Sequence, residues 1–286
     1  MSLDDRDGIA AGRSSDRAST ARGVCRIAAL AVVGILWLLV AMMLIGVSSL
    51  FGQRARYVMI TRLTSPFCRS VAAVIGLKIR IEGRRDPGTL IFVGNHVTWL
   101  DILLSGVCVG GVFVSRHDLR EWPAIGIFSR LAGTIFIDRS SLRSAIASSQ
   151  MIGERAAEGI RVVFFPEGGA GNGDDVAPFK AFLFGGIVDA GLPIQPCTLR
   201  YTHIGGAPIT PANRDLVYWY RPDQNFATHA WGILRRSSVR SEFVFHPPVS
   251  PPAAPDRAAL RAYVERVRMD VKGVKEGEVA REAGEV

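Results

Sequence analysis

A histidine and an aspartate five residues apart, His96 and Asp101, are the pair in this sequence best suited to handle a proton. The apolar run Leu90-Ile91-Phe92-Val93 leads into them through Gly94-Asn95 and reads as a buried strand. On a regular helix five residues turn the chain by roughly 500°, leaving the two side chains about 140° apart. They can meet only if His96 lies on the turn before a helix and Asp101 within its first turns. A base would then stand at a strand's exit, with a carboxylate behind it to fix its tautomer. The same residues also suit a polar helix entry in which Asn95 or Thr98 is the cap, and spacing alone favours that reading.

Two further strand ends carry polar groups. Gly133-Thr134-Ile135-Phe136-Ile137 runs into Asp138-Arg139. Open α/β sheets place ligands at such ends, where Arg139 could grip a phosphate through its planar fork. In isolation a surface arginine paired with Asp138 is the reading the residues favour. Val162-Val163-Phe164-Phe165-Pro166 delivers Glu167 into a loop carrying Gly168, Gly169, Gly171 and Gly173. Glycines allow backbone N–H groups close to a ligand, although a flexible surface loop has the same composition. The absence of a G-K-[ST] ending excludes a nucleotide-binding P-loop. Lys180, after Pro178-Phe179, could meet an anion or simply be solvated.

The elements that must position these groups follow from the bulk pattern. The 286 residues suffice for one large domain or two modest ones. They are 48% hydrophobic, with 34 Lys+Arg against 26 Asp+Glu and a formal charge of +8. Such a charge suits an anionic partner, and the apolar N-terminal segment favours a membrane over nucleic acid. Four cysteines without ligand spacing exclude a metal centre or a disulfide framework as the organising device. Residues 1–23 lack periodicity and are expected to be disordered. Residues 27–52 are 26 positions without a charge. As a helix they reach about 39 Å, against a hydrocarbon core of about 30 Å. Arginines flank both ends, so the segment either spans or re-enters. Residues 57–77 read as a basic amphipathic helix of interfacial type, with Pro66 kinking or breaking it.

From residue 78 the pattern predicts strands over 78–82, 89–93, 112–115, 134–137, 161–165, 194–202, 216–220 and 242–246. Helices are predicted over 100–109, 122–131, 142–158, 179–190 and 257–272. This alternation indicates an α/β domain with a mixed, largely parallel sheet flanked by helices, behind an N-terminal membrane-embedded helical segment. The expected divisions are 1–23, a membrane anchor over 24–77, the main domain over 78–250 and a Pro-rich linker with a surface helix over 251–286.

Taken together and in order, the blocks resemble the membrane-bound glycerolipid acyltransferase family. Asn95-His96 with Asp101 matches its H-x4-D block, Gly133 to Arg139 its second, Phe165-Pro166-Glu167-Gly168 its third, and Leu192-Pro193-Ile194 its fourth. Pro178-Phe179-Lys180 fits the family's P-F-K. Two departures stand out: Gly169-Ala170 occupies the place of the usual Thr and Arg or Ser, and Arg116-His117-Asp118-Leu119 replaces Lys-x-Glu-Leu. Asn172-Gly173-Asp174-Asp175, Tyr218-Trp219-Tyr220 and His229-Ala230-Trp231 are similar to a branch that includes lyso-ornithine lipid acyltransferases.

The resemblance implies transfer of an acyl group from acyl-CoA or acyl-carrier protein to a lysolipid hydroxyl, with no cofactor or metal. The implied acceptor is 1-acylglycerol-3-phosphate, with lyso-ornithine lipid as the alternative. His96 would be the base and Asp101 its orienting partner; Asn95, Arg139, Phe165, Pro166, Glu167, Gly168 and Lys180 would line the substrate site. Backbone N–H groups near the His96 turn are expected to face the oxyanion. No G-x-S-x-G elbow is present, which favours direct transfer over an acyl-enzyme. Membrane lipids would be partners and nucleic acid would not, with the catalytic domain on the cytoplasmic side of the inner membrane. A lipid-binding homologue without activity and a thioesterase remain alternatives.

Overall fold

The computed structural model describes residues 3–123, 125–138, 142–253 and 256–273, with the side chains of 3–15, 49, 53–56, 60, 142 and 144 not described. Two long helices come first, α1 (Leu3–Ser48) and α2 (Gln53–Ile75), joined by a short 3-10 turn and by Gly52 at φ 86°. They pack on each other as a hairpin, with the Trp37 indole donating to Ser70 Oγ at 3.3 Å and meeting the Phe67 ring edge-on. The tip is apolar and unburied: Leu50 is 82% and Phe51 73% exposed. Both helices are long and apolar enough to cross a membrane by length and composition. Pro66 sits inside α2 without ending it; the helix stops at Gly76, whose left-handed φ of 77° suits glycine.

The disorder expected over 1–23 is corrected for residues 3–23, which are helical in α1, and Asp16 and Ser19 meet Arg235 of the domain. Arg22 and Arg26 donate to the carbonyls of Arg235, Leu234, Arg236 and Ser237. These oxygens belong to the end of a helix and the turn after it, where cationic side chains are favoured. Charged residues that look solvated in sequence here serve as docking groups.

The strands are β1 (Leu77–Glu82), β2 (Ile91–Gly94), β3 (Val112–Arg116), β4 (Ile135–Ile137), β5 (Val162–Phe164), β6 (Ile194–Ile204), β7 (Ala207–Pro208) and β8 (Val239–Phe245). The sheet order is β1-β8-β6-β2-β5-β3-β4, with the short β7 paired to β6. Among these strands only the pairings of β6 with β7 and β8 are antiparallel, and Ile194 makes a further isolated antiparallel bridge to Val249. The expected mixed, largely parallel sheet is therefore what forms. Its central strands are buried on both faces, as continuous apolar runs require. Ile91, Val93, Val162 and Phe164 face one core, while Phe92 and Val163 face the other.

The remaining helices cover both faces: α3 (Leu100–Cys108), α4 (Ile125–Leu131), α5 (Leu142–Ala157), α6 (Gly185–Asp189), α7 (Phe226–Arg235) and α8 (Arg257–Lys272). Two expectations fail here. The helix expected over 179–190 divides into a 3-10 turn, Ala181–Phe184, and the short α6. The strand expected over 216–220 is absent. A 3-10 turn, Arg214–Leu216, precedes irregular chain whose Trp219 N–H donates to Val97 C=O at 2.9 Å. That segment lies over the residues beside His96 instead of joining a ladder. Its run of apolar and aromatic residues places a buried Val217 and a half-buried Trp219 there.

Candidate active site

Four parallel strands end at one edge of the sheet, and the polar blocks lie just beyond them. β2 pairs with β6 only as far as Gly94 opposite Cys197, whereas β6 continues to Ile204. The overhang of β6 backs the turn that carries His96. Asn95 extends the β2–β6 ladder with its side chain: its amide donates to Leu199 C=O at 3.0 Å and its carbonyl accepts from Leu199 N–H at 2.8 Å. A residue with one donor and one acceptor on a short stem suits that task.

His96 lies on the turn before α3 and Asp101 in the helix's first turn, the arrangement the spacing demanded. Nδ1 of His96 lies 2.8 Å from Asp101 Oδ2. The same oxygen accepts the backbone N–H groups of Val97 at 2.7 Å and Thr98 at 3.0 Å. Asp101 is fully buried and the imidazole is 23% exposed. Neither Asn95 nor Thr98 caps α3; Asp101, reaching back from inside the helix, closes the turn. Since a carboxylate can only accept, Nδ1 is the donor, which leaves the Nε2 lone pair free to accept a proton.

The third block closes over this turn. Phe165-Pro166-Glu167-Gly168 forms a tight turn in which Gly168 N–H reaches Phe165 C=O at 3.4 Å. Gly168 has φ 87°, where side-chain-bearing residues are strained. The Phe165 ring stacks on the His96 imidazole, with centroids 4.7 Å apart. Glu167 is buried, and both its oxygens are engaged by backbone: Oε1 accepts from His96 N–H at 2.6 Å and Oε2 from Ala177 N–H at 2.8 Å. Gly171 N–H donates to His96 C=O at 2.7 Å, and Lys180 N–H to Pro166 C=O at 2.9 Å. Glu167 therefore ties the glycine loop to the His96 turn. The Lys180 side chain is exposed. Arg139 lies outside the described residues; its neighbour Asp138 donates its N–H to Ser148 Oγ at 3.4 Å.

Desolvation drives the Glu167 carboxyl above its ordinary value of 4.5, more than its two backbone donors lower it. A carboxyl whose folded value is raised stabilises the fold fully below the unfolded value, and that contribution is lost as pH rises through the folded value. Wild type should therefore lose stability relative to Glu167→Gln as pH climbs from about 4.5, the ordinary glutamate value. Parallel thermal melts across that window check it; curves that stay a constant distance apart would contradict it.

The expected oxyanion donors are not available where the sequence placed them. The N–H groups of His96, Val97 and Thr98 are all held by the carboxylates of Glu167 and Asp101. Making the turn rigid has used its donors.

His96, Phe165, Gly168 and Gly169 line a cavity of about 450 Å³. Away from them its walls are predominantly apolar, with Trp37, Leu63 and Phe67 from the α1–α2 hairpin and Phe128 from α4. Phe67 and Phe128 stack at 5.3 Å, joining hairpin and domain. Arg116 also lines the cavity, its guanidinium held by both oxygens of Asp118 at 2.9 and 2.6 Å. Among the described residues, no group of three or more His, Cys, Asp and Glu could hold a metal ion.

Several participants escaped the sequence reading. Tyr201 donates its hydroxyl to Asp101 Oδ1 at 2.7 Å. Trp99 lines the cavity and donates its indole N–H to His229 Nδ1 on α7 at 3.1 Å. α7 itself was not foreseen, although Asn225 caps it by accepting from Ala227 and Thr228 N–H, and Asn is a favoured cap.

The fold matches the crystal structure of the 1-acyl-sn-glycerophosphate acyltransferase PlsC from Thermotoga maritima. The TM-score is 0.59 over 89% of this chain and 97% of that one, at 19% identity. Residues 78–200 match the family model described as Acyltransferase. The lyso-ornithine lipid O-acyltransferase of Rhodobacter capsulatus is 36% identical over 210 residues, 71% of this chain and 73% of that protein. The 1-acyl-sn-glycerol-3-phosphate acyltransferase of Neisseria meningitidis is 29% identical over 194 residues, 67% of this chain and 72% of that protein. The 36% identity over most of both chains, together with the match to the Acyltransferase family model, shows that the chain belongs to the lysolipid acyltransferase family.

Proposed function

We propose that the protein is a membrane-bound O-acyltransferase that moves a fatty acyl group from a thioester to the hydroxyl of a lysolipid. The observation that carries this is His96, backed by Asp101 at 2.8 Å, lining a cavity whose other walls are predominantly apolar. Nε2 takes the proton from the lysolipid hydroxyl, and the oxygen attacks the thioester carbonyl. The tetrahedral intermediate collapses, expelling the thiolate, which takes up a proton. Asp101 stabilises the imidazolium formed in between. With the N–H groups of residues 96–98 and of Gly168 engaged, the Gly169 backbone at the cavity wall is what meets the developing oxyanion. The acyl chain lies among Trp37, Leu63, Phe67 and Phe128. The donor is acyl-CoA or acyl-carrier protein, which share the thioester.

The α1–α2 hairpin holds the domain at the bilayer, its apolar tip in hydrocarbon, where both lipids reside. The positive balance of the chain favours the cytoplasmic face of the inner membrane.

For the acceptor we favour lyso-ornithine lipid, the substrate named for the relative at 36% identity. Two local features support it. Gly169-Ala170 supplies no arginine for a phosphate, and the Arg116 charge is already matched by Asp118. A zwitterionic ornithine head needs less uncompensated positive charge than a phosphate does. The second reading, 1-acylglycerol-3-phosphate, is favoured by the Neisseria relative and by the basic residues Arg139 and Lys180 of the matched blocks.

Purified protein in vesicles, given one acyl thioester and each lysolipid in turn, separates these readings. We expect kcat/KM for lyso-ornithine lipid to exceed that for 1-acylglycerol-3-phosphate by at least about tenfold, a difference of 1.4 kcal/mol. The reverse order would establish the second reading, and free fatty acid alone would indicate a thioesterase.

A further inference from the structure

Asp101 has two oxygens in very different surroundings. Oδ2 accepts from three groups of its own turn: His96 Nδ1, Val97 N–H and Thr98 N–H. Oδ1 accepts from Tyr201, which comes from β6, 100 residues further along the chain. The donor is placed by the overhang already described. Leu199 and Tyr201 are two apart on β6, so they share one side of the strand. At residue 199 the backbone holds the Asn95 side chain, and at residue 201 the side chain holds Asp101. One strand therefore clamps both ends of the Asn95-His96-x4-Asp101 block.

We propose that Tyr201 is a positioning residue for the acyl transfer, acting on His96 through Asp101 by fixing the plane of the carboxylate. A carboxylate held by one oxygen alone can pivot about its Cβ–Cγ bond, and the line from Oδ2 to Nδ1 moves with it. The Tyr201 hydroxyl pins the second oxygen and stops that rotation. Burial, and next the Asp101 charge, hold the Tyr201 phenol well above its ordinary value, so it remains a donor through the working pH range. The side chain is buried, and its ring meets Tyr218 edge-on at 6.2 Å, so it can contact Asp101 in only one pose. No bond to substrate is assigned to it. Its effect belongs to kcat and not to the binding of either lipid.

This role rests on the acyl-transfer reading, and the test keeps the two apart. Tyr201→Phe retains the ring and removes one charge-assisted hydrogen bond. In the vesicle assay we expect kcat to fall about tenfold with KM for both substrates within about twofold of wild type. In an Asp101→Asn background the same change should have little further effect on kcat, because Tyr201 then meets a neutral amide and the charge it holds toward the imidazolium has gone. A protein in which Tyr201 only fills space would show neither the kcat-specific loss nor its disappearance in Asp101→Asn. Should Tyr201→Phe fail to accumulate, Tyr201→Met fills similar volume without a donor and carries the same expectations. Unchanged kcat, a rise confined to KM, or a full loss persisting in Asp101→Asn would each overturn the proposal. Failure of wild type to form ester from any lysolipid would sink the acyl-transfer reading, and this role with it.

Discussion

Replacing His96 by alanine should lower kcat for ester formation by about 10²- to 10⁴-fold, the range that a positioned base contributes. The effect is expected to be nearly pure. His96 is held to the fold mostly through its backbone, with its N–H on Glu167 and its C=O on Gly171, and alanine keeps both contacts. The lost side chain contributes the Nδ1 bond to Asp101 and the stacking of Phe165 at 4.7 Å. Asp101 retains Val97, Thr98 and Tyr201 as donors, so its buried charge is not stranded. Membrane association, which we assign to the α1–α2 hairpin, should be unchanged. Turnover in vesicles and flotation with them are the two measurements. Retained turnover would remove His96 as the base.

Asp101 offers a sharper contrast, because two substitutions should separate its structural and chemical duties. Asparagine can keep its carbonyl at the Oδ2 position, accepting from Val97, Thr98 and His96 Nδ1. Its amide then meets the Tyr201 oxygen, whose hydroxyl can rotate to accept. The fold survives and the imidazolium loses its anion, so kcat should fall about 10²-fold, as expected for a base deprived of its charged partner. Alanine instead leaves the Val97 and Thr98 N–H groups and the Tyr201 hydroxyl buried without acceptors. One unsatisfied buried donor costs about 1–3 kcal/mol, so the loss should reach at least about 3 kcal/mol. Unfolding in detergent should show Asp101→Asn close to wild type and Asp101→Ala far below it. Equal destabilisation of the two variants would contradict this division of roles.

The parts of the site legible in the sequence are those whose groups are close along the chain. His96 and Asp101 are five residues apart, and the apolar run before them and the helix after them fixed their relation. Phe165 to Gly168 was legible for the same reason: a buried strand ends on a proline that turns it. Tyr201 was not. Strand alternation says which residues share a side, but not that β6 outruns β2 by several residues, which is what brings Tyr201 under Asp101. Glu167 was expected to face the acceptor head, yet its carboxylate is taken up by backbone N–H groups that no sequence pattern announces. The Leu216–Tyr220 stretch is rich in apolar and aromatic residues like a strand, but the Trp219 N–H finds its hydrogen bond on Val97, so local pattern yields to a tertiary contact. Likewise, the arginines before the apolar segment look solvated until α7 supplies carbonyls for Arg22 and Arg26.

All of these contacts serve one claim: a lysolipid hydroxyl, deprotonated at His96 Nε2, is what cleaves the thioester. The most direct test is to follow thiol release from an acyl thioester by the purified protein in vesicles, with and without lysolipid, while ester and free fatty acid are quantified. Acyl transfer predicts thiol release only when lysolipid is present, matched one-for-one by ester. Equal release in its absence, with free fatty acid as the product, would make water the acceptor and contradict the assignment.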